Sequence, residues 1–122
     1  MSGFEFNHIG VVTNKPDDAI NFYKNFMGFA VEKDFNVPGM RMVLLDGAGC
    51  KVELLCPEKE AQKVGPRHIA FMVSDIDRLF EEAVAAGFMV YPPGIQTHGN
   101  LRFFFLKAPG GEEIELMEEK DA

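Results

Sequence analysis

The sequence has no tryptophan and only two cysteines, Cys50 and Cys56, among its 122 residues. The two thiols are six positions apart, a spacing unlike the close cysteine pairs of zinc sites. Two cysteines also do not make the disulfide framework of a small secreted domain. We therefore expect ordinary thiols in a protein of the reducing cytoplasm, with its 12 phenylalanines supplying much of the core volume.

The sequence also lacks a long apolar run and an excess of positive charge. No segment approaches the roughly 20 apolar residues that cross a bilayer, and residues 1–7 carry neither the basic nor the apolar region of a signal peptide. The formal net charge of -7 argues against nucleic acid and anionic membranes as partners, because both attract basic surfaces. A small-molecule substrate, even an anionic one held by a metal ion, is compatible with this charge.

An internal repeat is the dominant positive feature of the sequence. Matching segments occur in the same order in both halves, at offsets of 59 to 62 positions. In pairs, they are 8–12 with 68–72, 27–31 with 86–90, 41–45 with 102–106, and 52–55 with 114–117. Such an ordered series indicates a duplicated module. We predict a single domain over residues 1–122, with module one at about 4–56, a linker at about 57–65 and module two at about 66–118.

Hydrophobic patterning predicts one strand, one helix and three further strands in each module. The opening strands are apolar and β-branched, and the helices carry apolar stripes that end at Gly28 and Gly87. Asn14 in the first module, and Ser74 or Asp75 in the second, are the predicted helix caps. The later strands are predicted at 29–34, 41–46, 50–55, 88–91, 101–107 and 113–117, with a turn at 92–94 and a loop at 94–99. The pattern therefore predicts an α+β fold of two tandem βαβββ modules.

Four polar residues interrupt this pattern at equivalent places: His8 and His68 in the opening strands, Glu53 and Glu115 in the closing strands. A carboxylate in an apolar strand is costly to bury unless it is paired or binds a metal. Because side chains alternate across a strand, Glu53 faces away from its apolar neighbours, which pack against the helix. If a pseudo-two-fold axis relates the modules, the four side chains converge. They would then suit one divalent ion: Zn, Ni, Co, Mn or Fe.

Each candidate residue has a simpler interpretation when it is taken alone. A histidine in a strand is more often part of a core, and a glutamate in a strand more often lies on a solvated face. The repeat changes this balance, because the same residue type recurs at the same position of both modules. His98 either contributes to the site or is an exposed loop residue. Tyr91 either donates a hydrogen bond in the site or packs within its strand. Arg41 and Arg102 occupy matching strand positions, where each holds a carboxylate or phosphate or forms a surface ion pair.

The motifs at 8–12, 21–29, 68–71 and 109–116 resemble those of the vicinal oxygen chelate superfamily. This superfamily includes glyoxalase I, methylmalonyl-CoA epimerase, extradiol dioxygenases and the fosfomycin and bleomycin resistance proteins. The resemblance extends over about residues 6–118. It implies the glyoxalase-like fold, in which two modules form a half-open curved sheet around a divalent metal ion. It also implies that a homodimer is common.

Within the superfamily, the four-ligand pattern resembles glyoxalase I, which is lactoylglutathione lyase, and the epimerase. By this resemblance Glu115 is the catalytic base, and Glu53 is its partner on the opposite face of the substrate. The implied activity is that of a metal-dependent lyase or isomerase. Such an enzyme abstracts a proton next to a metal-chelated carbonyl or thioester and stabilises the enediolate or enolate.

The resemblance leaves the substrate open between a 2-oxo hemithioacetal and a thioester. The short segment 54–58 lacks the polar stretch with which glutathione-dependent glyoxalases contact their thiol adduct, and residues 37–57 are somewhat closer to the epimerase pattern. Lys33, Arg41 and Arg102 are the basic residues considered for a CoA phosphate. Two alternatives remain. One is a non-catalytic protein that binds a drug-like molecule, as in antibiotic resistance, and the other is an Fe(II)-dependent dioxygenase, against which Glu53 argues.

Overall fold

The computed structural model describes residues 3–109 and 111–120. These residues form two compact units, one running from His8 to Arg67 and the other comprising the described residues on either side of that range. Both units combine strands with helix, which confirms the predicted α+β class. The prediction of a single domain over both modules stays a prediction. Residues 1–2, within the predicted N-terminal segment, and Gly110, within the motif at 109–116, lie outside the described residues.

The first module contains β1 (Phe4–Val12), α1 (Pro16–Asn21), β2 (Ala30–Val37), β3 (Met40–Gly47) and β4 (Cys50–Pro57). Its strands are arranged in the order β2-β3-β4-β1. Strands β1 and β4 are parallel, whereas β3 pairs antiparallel with β2 on one side and with β4 on the other. Parallel strands cannot be joined by a tight hairpin, so the rest of the module forms the connection between β1 and β4.

The second module repeats this arrangement. It contains β5 (Gly65–Val73), α2 (Ile76–Ala85), β6 (Val90–His98), β7 (Leu101–Lys107) and β8 (Glu113–Glu119). The strand order is β5-β8-β7-β6, and β5 and β8 are the parallel pair. Each module is therefore βαβββ, as the internal repeat predicts.

Helical segments cover one face of each sheet. In the first module, α1 and the turn after it place Ala19, Ile20 and Tyr23 against buried residues of the strands. In the second module, Phe80 of α2 meets the fully buried Phe104 edge to face, with ring centroids 5.1 Å apart. The buried cluster of the first module consists of Phe29, Val43, Leu45, Val52, Leu54 and Cys56, and that of the second of Val73, Ile76, Ala83, Phe104 and Leu116.

The helix predicted to run up to Gly28 changes its winding part of the way along. After α1, residues Phe22–Phe26 form a π-helical turn. The N–H of Met27 donates to the carbonyl of Phe22 at 3.1 Å, which is the i→i+5 bond of this geometry. Apolar periodicity does not distinguish such a turn from an α-helix, because both present the same side chains to the sheet over so few residues.

Of the predicted helix caps, one is confirmed and one is wrong. Asp75 caps α2, because its side chain accepts a hydrogen bond from the N–H of Arg78. Asn14 does not cap α1. Its amide instead donates to the carbonyl of Ala61 at 2.9 Å and accepts from the N–H of Ala61 at 2.7 Å. Asn14 therefore ties the segment between β4 and β5 to the end of β1.

The predicted turn and loop at 92–99 are also wrong, because β6 runs from Val90 to His98. Its pairing with β7 is interrupted between Tyr91 and Gln96, which accommodates the prolines and the glycine of this stretch in an irregular strand. His98 is the last residue of the strand and pairs with Leu101. It therefore does not lie in a loop over the site.

Cys50 and Cys56 are both free thiols, and burial raises the pKa of Cys56 above its ordinary value. No helix among the described residues is long and apolar enough to cross a membrane.

The packing of Phe29 against β3 generates a stability prediction. A Cβ added at Gly47 would lie 2.5 Å from Cδ1 of the buried Phe29 ring. We expect Gly47→Ala to lower the free energy of unfolding by about 1–3 kcal/mol, because the ring must shift within a packed core. Urea denaturation measures the effect. The control is the double variant Gly47→Ala/Phe29→Leu, whose loss of unfolding free energy should be smaller than the sum of the losses in the two single variants. A Gly47→Ala protein as stable as wild type would contradict the packing.

Candidate functional site

The first module brings His8 and Glu53 together on neighbouring strands. Gly10 of β1 is in register with Glu53 of β4, and His8 lies two residues before Gly10, so both side chains project to the same face. His8 Nε2 lies 3.4 Å from Glu53 Oε1, and the two side chains are 5% and 13% exposed. Parallel register thus places a buried imidazole beside a nearly buried carboxylate.

The second module repeats this pair. Ala70 of β5 is in register with Glu115 of β8, and His68 lies two residues before Ala70. His68 Nε2 is 3.3 Å from Glu115 Oε1, and the two side chains are 4% and 11% exposed. The match in register, distance and burial shows that the repeat in the sequence is also a repeat of this contact.

Both pairs lie on the sheet faces that the helices leave uncovered. Val52 and Leu54, on either side of Glu53, belong to the buried cluster under α1. Ile114 and Leu116 flank Glu115 and pack into the cluster under α2. The alternation expected from the sequence is therefore present, and the carboxylates occupy the face opposite to the hydrophobic cores.

Each pair offers one imidazole nitrogen and one carboxylate oxygen. Burying a carboxylate without a counter-charge is unfavourable, so a partner for it is required on physical grounds. The imidazole beside each carboxylate provides that partner, and the imidazole nitrogen and the carboxylate oxygen are also ligands for Zn, Ni, Co, Mn and Fe ions. The donor atoms of each pair are therefore of the kind that divalent ions bind, and the role of His8, Glu53, His68 and Glu115 as ligands of one ion stays a prediction.

One acidic residue beside the second pair was not predicted from the sequence. Glu113 lies two residues before Glu115 on β8 and is in register with His68, so it shares their face. The hydroxyl of Tyr91 donates to Oε2 of Glu113 at 2.7 Å. Its position two residues before Glu115 was the feature of the sequence that could have placed it on the same face. Tyr91 both donates this bond and packs, since its ring stacks on that of Phe105 with centroids 5.9 Å apart.

Arg41 and Arg102 face away from these pairs. Arg41 lies two residues before Val43, so its side chain projects to the same helix-covered face as Val43 and Leu45. Arg102 likewise lies two residues before Phe104 and shares its face. Their guanidinium groups form ion pairs, which decides between the two interpretations left open above. Arg41 donates to both carboxylate oxygens of Asp34 at 3.0 and 2.7 Å, and Arg102 donates to both of Asp77 at 2.8 Å.

Lys33 differs from the two arginines in its orientation. It is in register with Leu44, which is in register with Glu53, so Lys33 shares the face of the first pair. Of the three basic residues considered for a phosphate, only Lys33 lies on the side of its module where the candidate ligands are.

The family model described as the Glyoxalase/Bleomycin resistance protein/Dioxygenase superfamily matches residues 5–116. The chain therefore belongs to this superfamily, and its fold is glyoxalase-like. Members of the superfamily commonly bind a divalent metal ion. None of the curated proteins compared with the chain matches it.

Solved structures agree with this fold over nearly the whole chain. A hypothetical protein from Bacillus halodurans C-125 is 21% identical with a TM-score of 0.88, covering 99% of this chain and 98% of that one. Methylmalonyl-CoA epimerase from Mycobacterium tuberculosis is 23% identical with a TM-score of 0.83, covering 96% and 89%. Streptomyces coelicolor methylmalonyl-CoA epimerase, in complex with 2-nitronate-propionyl-CoA, is 24% identical with a TM-score of 0.82, covering 96% and 98%. At these identities the likeness shows the fold.

The ion pair between Arg102 and Asp77 predicts a specific pH dependence of stability. Hydrogen bonds from Arg102 hold the pKa of Asp77 below its ordinary value of 3.8. A carboxyl with a lowered pKa in the folded state stabilises the fold above its ordinary pKa and loses this contribution as the pH falls through the lowered value. We expect Arg102→Met to lower the urea midpoint by an amount that is constant between about pH 7 and 5 and shrinks below 3.8.

The matched control is Asp77→Asn, alone and combined with Arg102→Met. The single variant should show the same shrinking difference from wild type. Once Asn occupies position 77, adding Arg102→Met should produce a difference that varies much less with pH, because the main acidic partner of Arg102 is gone. A pH-independent difference between wild type and Arg102→Met would contradict the ionic character of this contact.

Proposed function

We propose that the chain is a metal-dependent isomerase or lyase that abstracts a proton from the carbon next to a chelated carbonyl or thioester. The observation that carries this proposal is the recurrence of one nearly buried histidine–glutamate pair at the same register of both modules. Membership in a superfamily that commonly binds divalent metal ions supports it. Residues that only fill a core would be apolar, so a carboxylate beside a histidine would not be needed at the same position of both modules.

His8, Glu53, His68 and Glu115 would together hold one divalent ion: Zn, Ni, Co, Mn or Fe. Two carboxylates and two neutral imidazoles carry a charge of about -2, which a divalent cation offsets. When bound, the ion would supply Lewis acidity that stabilises negative charge on the substrate oxygens. Its remaining positions would be available to water or substrate.

Glu115 is the residue that would move the proton, with Glu53 as its partner on the other side of the substrate. The side chain of Glu115 is 11% exposed, so it is largely withdrawn from water while one edge stays accessible. A carboxylate that is shielded from bulk water can be held directly against a substrate carbon and take a proton from it. Phe105, in register with Glu115 on the next strand, helps to exclude water on that side.

A thioester is the substrate class that the comparisons favour. Two of the similar structures are methylmalonyl-CoA epimerases, one of them holding a CoA derivative. The position of Lys33 on the face of Glu53 provides one cation for a phosphate, and the ion pairs of Arg41 and Arg102 commit those side chains to Asp34 and Asp77. As part of the same proposal, the chain is one domain, acts in the cytoplasm and forms a homodimer.

Metal binding can be tested directly with histidine variants. We expect the purified wild-type protein to retain about one divalent ion per chain by elemental analysis, and His8→Ala or His68→Ala to bind it at least ~100-fold more weakly, since each removes a ligand. The control is His98→Ala, because His98 ends β6 and pairs with Leu101 at the edge of the second module. A wild-type protein that retains no ion under metal-replete conditions would favour a non-catalytic binding protein.

Proton abstraction can be tested by solvent exchange. Metal-loaded wild-type protein in D₂O should introduce deuterium beside the carbonyl of a methylmalonyl thioester or of a 2-oxo aldehyde hemithioacetal, as measured by NMR. Glu115→Gln should reduce the rate at least ~100-fold through loss of the base, while Glu81→Gln, on the exposed surface of α2, should not. Full exchange by Glu115→Gln would contradict its role, and oxygen consumption without exchange would indicate a dioxygenase.

A further inference from the structure

The face of the second module that carries His68 and Glu115 also carries three aromatic rings, Tyr91, Phe103 and Phe105, which we call the aromatic row. Register places them there: Tyr91 pairs with Phe105, Phe105 with Glu115, and Phe103 with Met117. Paired residues in a sheet project to the same side. All three side chains are half-buried, so each keeps part of its surface accessible.

Ring contacts order the row and connect it to the histidine. The Phe105 ring meets that of His68 edge to face, with centroids 5.4 Å apart and planes at 88°. On its other side Phe105 stacks against Tyr91 at 5.9 Å and 17°, and it meets Phe103 at 6.1 Å and 87°. Offset stacked and edge-to-face pairs are the favoured aromatic geometries. The row is therefore a fixed surface that starts beside the candidate metal ligand.

The hydrogen bond from Tyr91 to Glu113 sets the outer end of this surface. The hydroxyl donates to this half-buried carboxylate at 2.7 Å, which restrains the position of the phenol. Glu113 itself belongs to the strand that carries Glu115. The aromatic row is thus contacted at Tyr91 and at Phe105 by residues of the strands that supply the second histidine–glutamate pair.

The first module has a different surface at the same positions. The repeat aligns Phe103 with Met42 and Phe105 with Leu44, and the place of Glu113 is taken by Lys51. Leu44 is in register with Glu53 and with Lys33, and Lys51 forms an ion pair with Glu32 at 3.0 Å. Beside its histidine–glutamate pair, the first module is therefore aliphatic and charged where the second module is aromatic.

We propose that the aromatic row is a specificity-determining subsite that binds a flat, unsaturated or aromatic group next to the chelating oxygens of the substrate. This inference deepens the proposed function and rests on it, because the chelating group must be held by the metal for its substituent to reach the row. Stacking on a fixed ring favours a planar group over an aliphatic one of similar size. Because only the second module carries the row, it would orient the planar group of the substrate toward that module, although the histidine–glutamate pair occurs in both.

Two chelating 2-oxo acids that differ in one group test this subsite. We expect metal-loaded wild-type protein to bind phenylpyruvate at least ~10-fold more tightly than pyruvate by isothermal titration calorimetry. The saturated analogue cyclohexylpyruvate should bind less tightly than phenylpyruvate, because it adds apolar area without a flat π-face. Equal affinities for pyruvate and phenylpyruvate would overturn the proposal.

Variants assign the preference to the row. Phe105→Leu and, independently, Tyr91→Leu should reduce the ratio of the two affinities to about 3-fold or less, because each removes one ring of the row. The control is Phe80→Leu, which removes a ring from the same module but on the helix-covered face. It should lower thermal stability and keep the ratio. If both variants keep the wild-type ratio of phenylpyruvate to pyruvate affinity, the aromatic row is not the subsite. Two independent variants are used so that poor folding of one does not decide the result.

The outcomes separate this inference from the proposed function. If the protein retains its metal and binds both acids equally, the metal centre stands and the subsite does not. If it prefers phenylpyruvate but catalyses no deuterium exchange, the subsite stands and the reaction does not. If metal-loaded protein binds neither acid, the subsite is overturned, and elemental analysis then decides separately whether the metal site remains.

Discussion

A nearly buried contact between an imidazole and a carboxylate, made once in each module, is the constraint on which the arrangement of the strands depends. Glu53 and Glu115 would be costly to bury among apolar side chains, and His8 and His68 supply the partners. The contact exists only when the opening and closing strands pair in the observed parallel register. A shift by one residue would turn each carboxylate into the hydrophobic core under the helix. Register and charge burial therefore depend on each other.

The duplicated contact is surrounded by different neighbours in the two modules. Leu44 and Lys33 follow Glu53 across the first sheet, whereas Phe105 and Tyr91 follow Glu115 across the second. The strand order and the polar pair are common to both, so the residues beside the pair can differ without disturbing the fold. A duplicated scaffold can in this way keep one set of donor groups and vary what surrounds them. This is a physical reason for one fold to serve several chemistries.

Recurrence within the repeat does not by itself identify a functional residue. Arg41 and Arg102 recur as regularly as the histidines, yet they lie on the helix-covered faces and form ion pairs with Asp34 and Asp77. Each arginine forms an ion pair with the first turn of its module's helix, Arg41 with Asp17 at 3.7 Å and Arg102 with Asp77 at 2.8 Å, and Arg41 also binds Asp34 on β2. What separates them from the histidine–glutamate pairs is the side of the strand to which each side chain points, together with the burial of the charge. The side follows from alternation along each strand, whereas the burial of the charge depends on the pairing of strands.

Periodicity and internal repetition were sufficient to predict the α+β class, the two βαβββ modules and the alternation that turns Glu53 and Glu115 away from the cores. These features follow from local geometry, since strand and helix periods are written in neighbouring residues. The π-helical turn at Phe22–Phe26, the irregular strand that contains His98 and the bond between Asn14 and Ala61 were not predictable in this way. The bond between Tyr91 and Glu113 joins residues 22 positions apart, and the partner of Arg102 is on a helix. Such contacts are selected by packing between distant segments, and only the folded chain decides which of several sterically allowed partners a side chain meets.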